Sequence, residues 1–216
     1  MDLFSQYSRL VTLFESKHYK PVPVWGRIRK PGGEDFFFSQ TIGTESTIPH
    51  CLLLERNSLA PFAEYPQLDV KLQEEDELSP TTDFSAVEAP DTIMLLALSS
   101  PGVCSHPATA HGGLISTILD EAMAHSLVSR FSTIPGKVED VRRTLLTSQL
   151  EVVFRRPVRT PGVLIVKSWC VAGKGRKFWM RAQGTQVASL KEKLQDLDEE
   201  VKCEASGLWI KINPKL

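Results

Sequence analysis

Between residues 106 and 131 the apolar positions leave no wide polar stripe: Leu114, Ile115, Ile118, Leu119, Ala122, Met123, Ala124, Leu127, Val128 and Phe131 surround a helical wheel. That pattern predicts a helix enclosed on most sides, opened by Gly112-Gly113. Downstream the period changes. Over 145–153 the residues alternate, with Leu146, Ser148, Leu150, Val152 and Phe154 on one face and Thr147, Gln149, Glu151 and Arg155 on the other, as in a half-buried strand. Turn residues at Pro161-Gly162 and over 172–175 separate further predicted strands at 163–171 and 178–186, and a last strand is expected over 204–212. Upstream, 93–98 is a compact apolar run suited to a buried strand.

Outside this core the pattern is mixed. Leu3, Tyr7, Leu10, Val11 and Phe14 predict an amphipathic helix over 2–19, ended by Pro21 and Pro23. The runs 36–38 and 51–54 fit either a strand or part of a helix. Residues 69–91 are acidic and polar and read as a solvated connector. Val187, Leu190, Leu194, Leu197 and Val201, set among charges, predict a helical insertion over 187–201 before the last strand.

One buried helix followed by a series of antiparallel strands implies an α+β architecture in which a curved sheet with one covered face wraps the helix. We divide the chain into an N-terminal extension, 1–90, packed on or flanking the core, and a domain proper, 91–216. A sheet of this kind has free edges, so pairing with a second copy, as a homodimer or a dimer of dimers, is the natural expectation.

Bulk properties narrow the function. The chain has 216 residues, 42% of them hydrophobic, which suffices for a complete core. With 25 basic against 26 acidic residues and a net charge of −1, nothing points to nucleic acid or a membrane surface. Neither a membrane-spanning run nor a secretory signal is present, so stable membrane insertion is not expected. Cys51, Cys104, Cys170 and Cys203 are far apart and lack zinc-ligand spacing, so we expect reduced thiols, no metal and an intracellular protein. The cytoplasm is favoured and a mitochondrial location stays open.

Two adjacent carboxylates on the buried helix, Asp120 and Glu121, need an explanation, because an unpaired buried carboxylate costs several kcal/mol, on the order that shifts its pKa. The helix start offers a counterpart. First-turn amides at Gly112 and Gly113 have no intrahelical partner, and glycine lets a carbonyl oxygen approach closely. Asp120 lies roughly 10 Å along the axis from those donors, too far for one carbonyl to touch both within a subunit. A two-fold dimer that sets one copy's glycine loop against the other's helix resolves this. A carboxylate placed there can act as general base toward water or as a nucleophile at an acyl carbon.

The run His106-Pro107-(x)3-His111-Gly112-Gly113-(x)6-Asp120 is followed by Thr147-(x)7-Arg155-Arg156-Pro157, Gly175-Arg176-Lys177-Phe178 and 204–214. Over about 93–214 it resembles the hotdog-fold acyl-CoA thioesterases, within them the PaaI-like branch of thioesterase superfamily members 4 and 5. The resemblance implies a hotdog fold with Asp120 as the catalytic carboxylate and Gly112, with Gly113, donating amides to the thioester oxygen. It further implies that His111 orients that loop or contacts the thioester, that Thr147 positions water, and that two subunits share the site. Coenzyme A belongs to the substrate, so no separate cofactor is expected. Arg155, Arg156, Lys174, Arg176 and Lys177 form the basic set that could meet its phosphates. His125 reads as a satisfied core histidine.

Hydrolysis of medium- to long-chain acyl-CoA is the leading reading. The alternatives are hydrolysis of acyl-carrier-protein thioesters, a hydratase pairing His106 with Asp120, and a non-catalytic acyl-binding or interaction module.

Overall fold

The computed structural model describes residue 4 and residues 16–59, 89–131, 141–187 and 199–212. Seven antiparallel strands form one sheet: β1 (Tyr19–Val22), β2 (Cys51–Arg56), β3 (Thr92–Leu98), β6 (Leu145–Phe154), β7 (Gly162–Lys174), β8 (Lys177–Val187) and β9 (Glu199–Lys211). Their order is β1-β2-β3-β7-β8-β9-β6, and a small hairpin of β4 (Cys104–His106) and β5 (Thr109–Ala110) leads into the long helix α1 (Gly112–Phe131). Met94, Leu96, Leu164, Val166, Met180, Ala182, Ala205 and Trp209 pack with Ile115, Ile118, Leu119, Ala122, Met123 and Leu127 of α1 in one core. The sheet wraps the helix, which is the expected hotdog arrangement.

Several elements depart from expectation. The sheet is covered on both faces at β3: Ile93, Leu95 and Ala97 point away from the helix and pack with Phe4, Leu54 and Ile165. A strand buried on both faces reads as a continuous apolar run, which is why 93–98 shows no alternation. Tyr19–Val22 is a strand and residues 16–18 are coil and turn, so the helix expected over 2–19 does not reach its predicted end; apart from Phe4, which is helical, the rest of that prediction lies outside the described residues. Of the two undecided runs, 51–54 belongs to a strand and 36–38 leads into a short π-helical turn, Phe37–Thr41. Most of the insertion predicted over 187–201 lies outside the described residues, but Val187 and Glu199–Val201 belong to β8 and β9.

In β6 the expected face assignment is wrong downstream of Thr147. Thr147 lies opposite Trp209 and Gln149 opposite Leu208, so Ser148 is an extra residue in a β-bulge. A bulge shifts the side-chain alternation by one. Thr147 therefore shares the helix-facing side with Leu150 and Val152, which pack on the main core, rather than opposing them.

Two polar devices fix the frame. Asp91, 1% exposed, accepts from Arg130 Nε at 2.9 Å, from Cys170 N at 2.9 Å and from Arg56 and Ser126 at 3.3 Å, tying the end of α1 to β2 and β7. Near the start of β6, Arg142 pairs with Asp35 and Arg143 with Glu34 at 3.2 Å, anchoring the N-terminal segment there. Burial works to raise the Asp35 pKa, but Lys30 and Arg142 outweigh it and hold the carboxyl below its ordinary range. Among the described residues no helix is long and apolar enough to cross a membrane.

Candidate active site

The start of α1 is set by His111. Its Nδ1 accepts from the Gly113 N–H at 2.9 Å, and its carbonyl accepts from Ile115 N at 3.1 Å, so the imidazole caps the helix. Ser116 and Thr117 hydroxyls donate back to the Gly112 and Gly113 carbonyls at 3.1 and 2.9 Å. The Gly113 N–H is thus engaged by the His111 ring in the single chain. The Gly112 N–H makes no hydrogen bond among the described residues. The Phe154 ring lies 3.4 Å from the point a Cβ on Gly112 would occupy, placing this amide beside the far end of β6.

Two turns along α1, Asp120 is half-buried and accepts from Thr147 Oγ1 at 2.9 Å. Burial raises the Asp120 pKa above the ordinary carboxylate value, the Thr147 hydrogen bond opposes that shift, and the neighbouring Glu121 charge adds to it. Desolvation makes this carboxylate a stronger base than an exposed one, and the threonine fixes its orientation. The structure brings Asp120 and Thr147, which the resemblance pairs, into contact, whereas Gly112 and Asp120 of one chain lie apart. Eight residues of helix separate them, roughly 12 Å.

The basic set is also divided. Arg155 and Arg156 follow β6 at the end where Phe154 pairs with Cys203, and they bind Glu204 at 2.8 Å and Glu200 at 3.0 Å. Lys174, Arg176 and Lys177 sit at the β7–β8 hairpin, whose loop residue Gly175 has φ +59°. That hairpin is at the opposite end of the sheet, since Lys177 pairs with Ile210, which pairs in turn with Leu146. These three make no ion pair among the described residues and are exposed. His106 is exposed on β4. Burial pushes the thiols of Cys51 and Cys203 up to about 12 and also raises that of Cys170, so none is a thiolate at neutral pH.

Sequence reasoning missed a polar group on the neighbouring helix face. His125, 1% exposed, stacks on Trp25 with ring centroids 4.4 Å apart. Its Nε2 is 3.3 Å from Glu121 Oε1 but outside hydrogen-bond geometry, and neither ring nitrogen is hydrogen-bonded among the described residues. It is not the satisfied core histidine expected. The i, i+4 spacing of Glu121 and His125 was the available signal; Trp25, a hundred residues away, gave none.

Comparison with known proteins finds a match over the middle of the chain. Residues 108–187 match the family described as the thioesterase superfamily. Verlamelin biosynthesis protein B of Lecanicillium sp is 27% identical over 190 residues, covering 79% of this chain and 74% of that protein. Among solved structures, the Escherichia coli PaaI protein of the phenylacetic acid degradation operon aligns with 56% of this chain and 72% of its own, at 12% identity and TM-score 0.42. Zebra fish thioesterase superfamily member 2 aligns with 59% and 78%, at 9% identity and TM-score 0.44. A Streptococcus pneumoniae hypothetical thioesterase, solved with coenzyme A, aligns with 56% and 77%, at 16% identity and TM-score 0.42.

Proposed function

Because residues 108–187 match the thioesterase superfamily and the sheet wraps α1 as in a hotdog fold, we propose that the protein hydrolyses acyl thioesters, carried on coenzyme A, at a site shared between two copies. The observation that carries this reading is the half-buried Asp120 carboxylate, held by Thr147 on the open edge strand β6. In the proposed step Asp120 takes a proton from water as the oxygen attacks the acyl carbon, and the Gly112 amide stabilises the oxyanion. Collapse of the intermediate expels the thiolate of the carrier, which takes up a proton, and leaves the free acid.

In this reading the separated groups meet across the β6 edge. β6 places Thr147, with Asp120, toward one end and Phe154, with Gly112, toward the other. A two-fold axis through the strand near Leu150 and Glu151 sets Thr147 opposite Phe154 of the partner subunit. That operation carries the partner subunit's Gly112 toward Asp120. It also carries Arg155 and Arg156 of the partner subunit toward the Lys174 to Lys177 hairpin, reassembling a basic set suited to coenzyme A phosphates. Exposed Leu146 and Phe154, 52% and 53% accessible in the lone chain, lie along this edge.

The test is thiol release by the purified protein from acyl-CoAs of increasing chain length and from the same acyl groups on a carrier protein. Release from the medium- to long-chain CoA esters supports the reading. No release from either carrier overturns hydrolysis, and release from the carrier protein alone overturns the choice of coenzyme A.

A further inference from the structure

Buried polar atoms without hydrogen bonds gather around Glu121, on the α1 face turned toward residues 25–43. Arg27 Nε and Nη2, Ser39 Oγ and both nitrogens of His125 are buried and unpartnered among the described residues. A buried donor or acceptor left unpaired is costly, so a cluster of them calls for an occupant. They are close together. Glu121 Oε1 is 2.5 Å from where a Cβ on Gly26 would stand, and Phe38 Cβ is 3.2 Å from the same point. Arg27 Nη1 is 2.8 Å from the corresponding point on Gly43, which the Ser39 carbonyl approaches to 2.6 Å. Arg27 and Glu121 both act on the Cys51 thiol, so the two charges face one neighbourhood.

Resting on the thioester-hydrolase reading above, we propose that Arg27, Ser39, Glu121 and His125 form a subsite for an uncharged oxygen substituent, a hydroxyl, on the acyl chain. The charge balance selects this class. A second carboxylate would meet Glu121, and an ammonium would meet Arg27. A hydroxyl both donates and accepts, and Arg27 supplies donors, Glu121 an acceptor, and the Ser39 hydroxyl one of each, with the His125 ring nitrogens beside them. Glu121 follows Asp120 on the helix, about 1.5 Å further along the axis and about 100° round it. The subsite therefore lies near the thioester end of the chain rather than at its far tip. Trp25, stacked on His125, closes it from the N-terminal segment.

Calorimetric binding to the full-length Asp120→Asn protein tests this without turnover, using a straight-chain acyl-CoA and isomers of the same length hydroxylated at successive carbons. One isomer is expected to bind at least about tenfold more tightly than the straight chain, because a site built to pair a hydroxyl disfavours its absence. His125→Phe and the milder Ser39→Ala should each bring that ratio toward one, and His125→Gln should retain part of it. Equal binding of all isomers and the straight chain, or a preference unchanged in both His125→Phe and Ser39→Ala, overturns the subsite. Thiol release by the wild-type protein from straight chains keeps the two readings apart. Its loss overturns hydrolysis, whereas release without any hydroxyl preference overturns the subsite alone.

Discussion

The two edges of the sheet are built differently. β1 is four residues long, carries Pro21 and accompanies a β2–β3 flank whose outer face is covered. Shortness and proline are common ways to stop further strand addition. β6 is ten residues long, contains no proline and exposes Leu146 and Phe154. One edge is finished by these devices, while the other, among the described residues, carries neither of them. The candidate chemistry lies at the unfinished edge, through Thr147 and Phe154.

This contrast can be challenged in order of expected effect. Asp120→Asn should lower thioester hydrolysis at least about a hundredfold, the range for losing a principal acid–base group, measured by thiol release. The same variant reports on stability. Burial raises the folded-state Asp120 pKa above the unfolded value, so the stability tied to this group is present at low pH and lost as pH rises through that interval. Asp120→Asn should therefore be more stable than wild type at neutral pH and match it in acid, as judged by denaturant midpoints.

Next, Leu146→Glu with Phe154→Glu should yield monomers in sedimentation, with hydrolysis reduced about tenfold or more as the shared oxyanion donor is lost. A fully active monomer would exclude the shared site. Thr147→Ala should cost less, about tenfold. Because the Thr147 hydrogen bond lowers the Asp120 pKa, its loss should move the acid limb of the kcat/KM profile to higher pH. At the finished edge, Pro21→Val should leave oligomeric state unchanged and alter stability by no more than about 0.5 kcal/mol.

Much of this frame was legible in the sequence because its signals are local. The apolar wheel of α1, its glycine start and the alternation of the later strands each depend on neighbours a few residues apart. The pairing of Thr147 with Asp120 came from a resemblance, since periodicity alone put Thr147 on the face opposite Leu150. Ser148 is the reason: a bulge is a property of register with β9, invisible along one strand. The same holds for Asp91, which read as the end of a connector yet holds Arg130 in the core. Removing one member of such a buried pair typically costs about 3–5 kcal/mol. Trp25 over His125 joins the N-terminal segment to the helix across a distance that no local pattern encodes. Likewise, the basic residues look like one set in sequence but lie at two ends of the sheet, because strand direction separates them.

The doubled position at Ser148 ties two requirements into one length of chain. Upstream of it, odd-numbered residues face α1; downstream, even-numbered ones do, so Thr147 can reach Asp120 while Leu150 and Val152 fill the core. Deleting Ser148 would force β6 to give up one contact set or the other, so gain or loss of a residue there should track with a change in the group that faces the carboxylate.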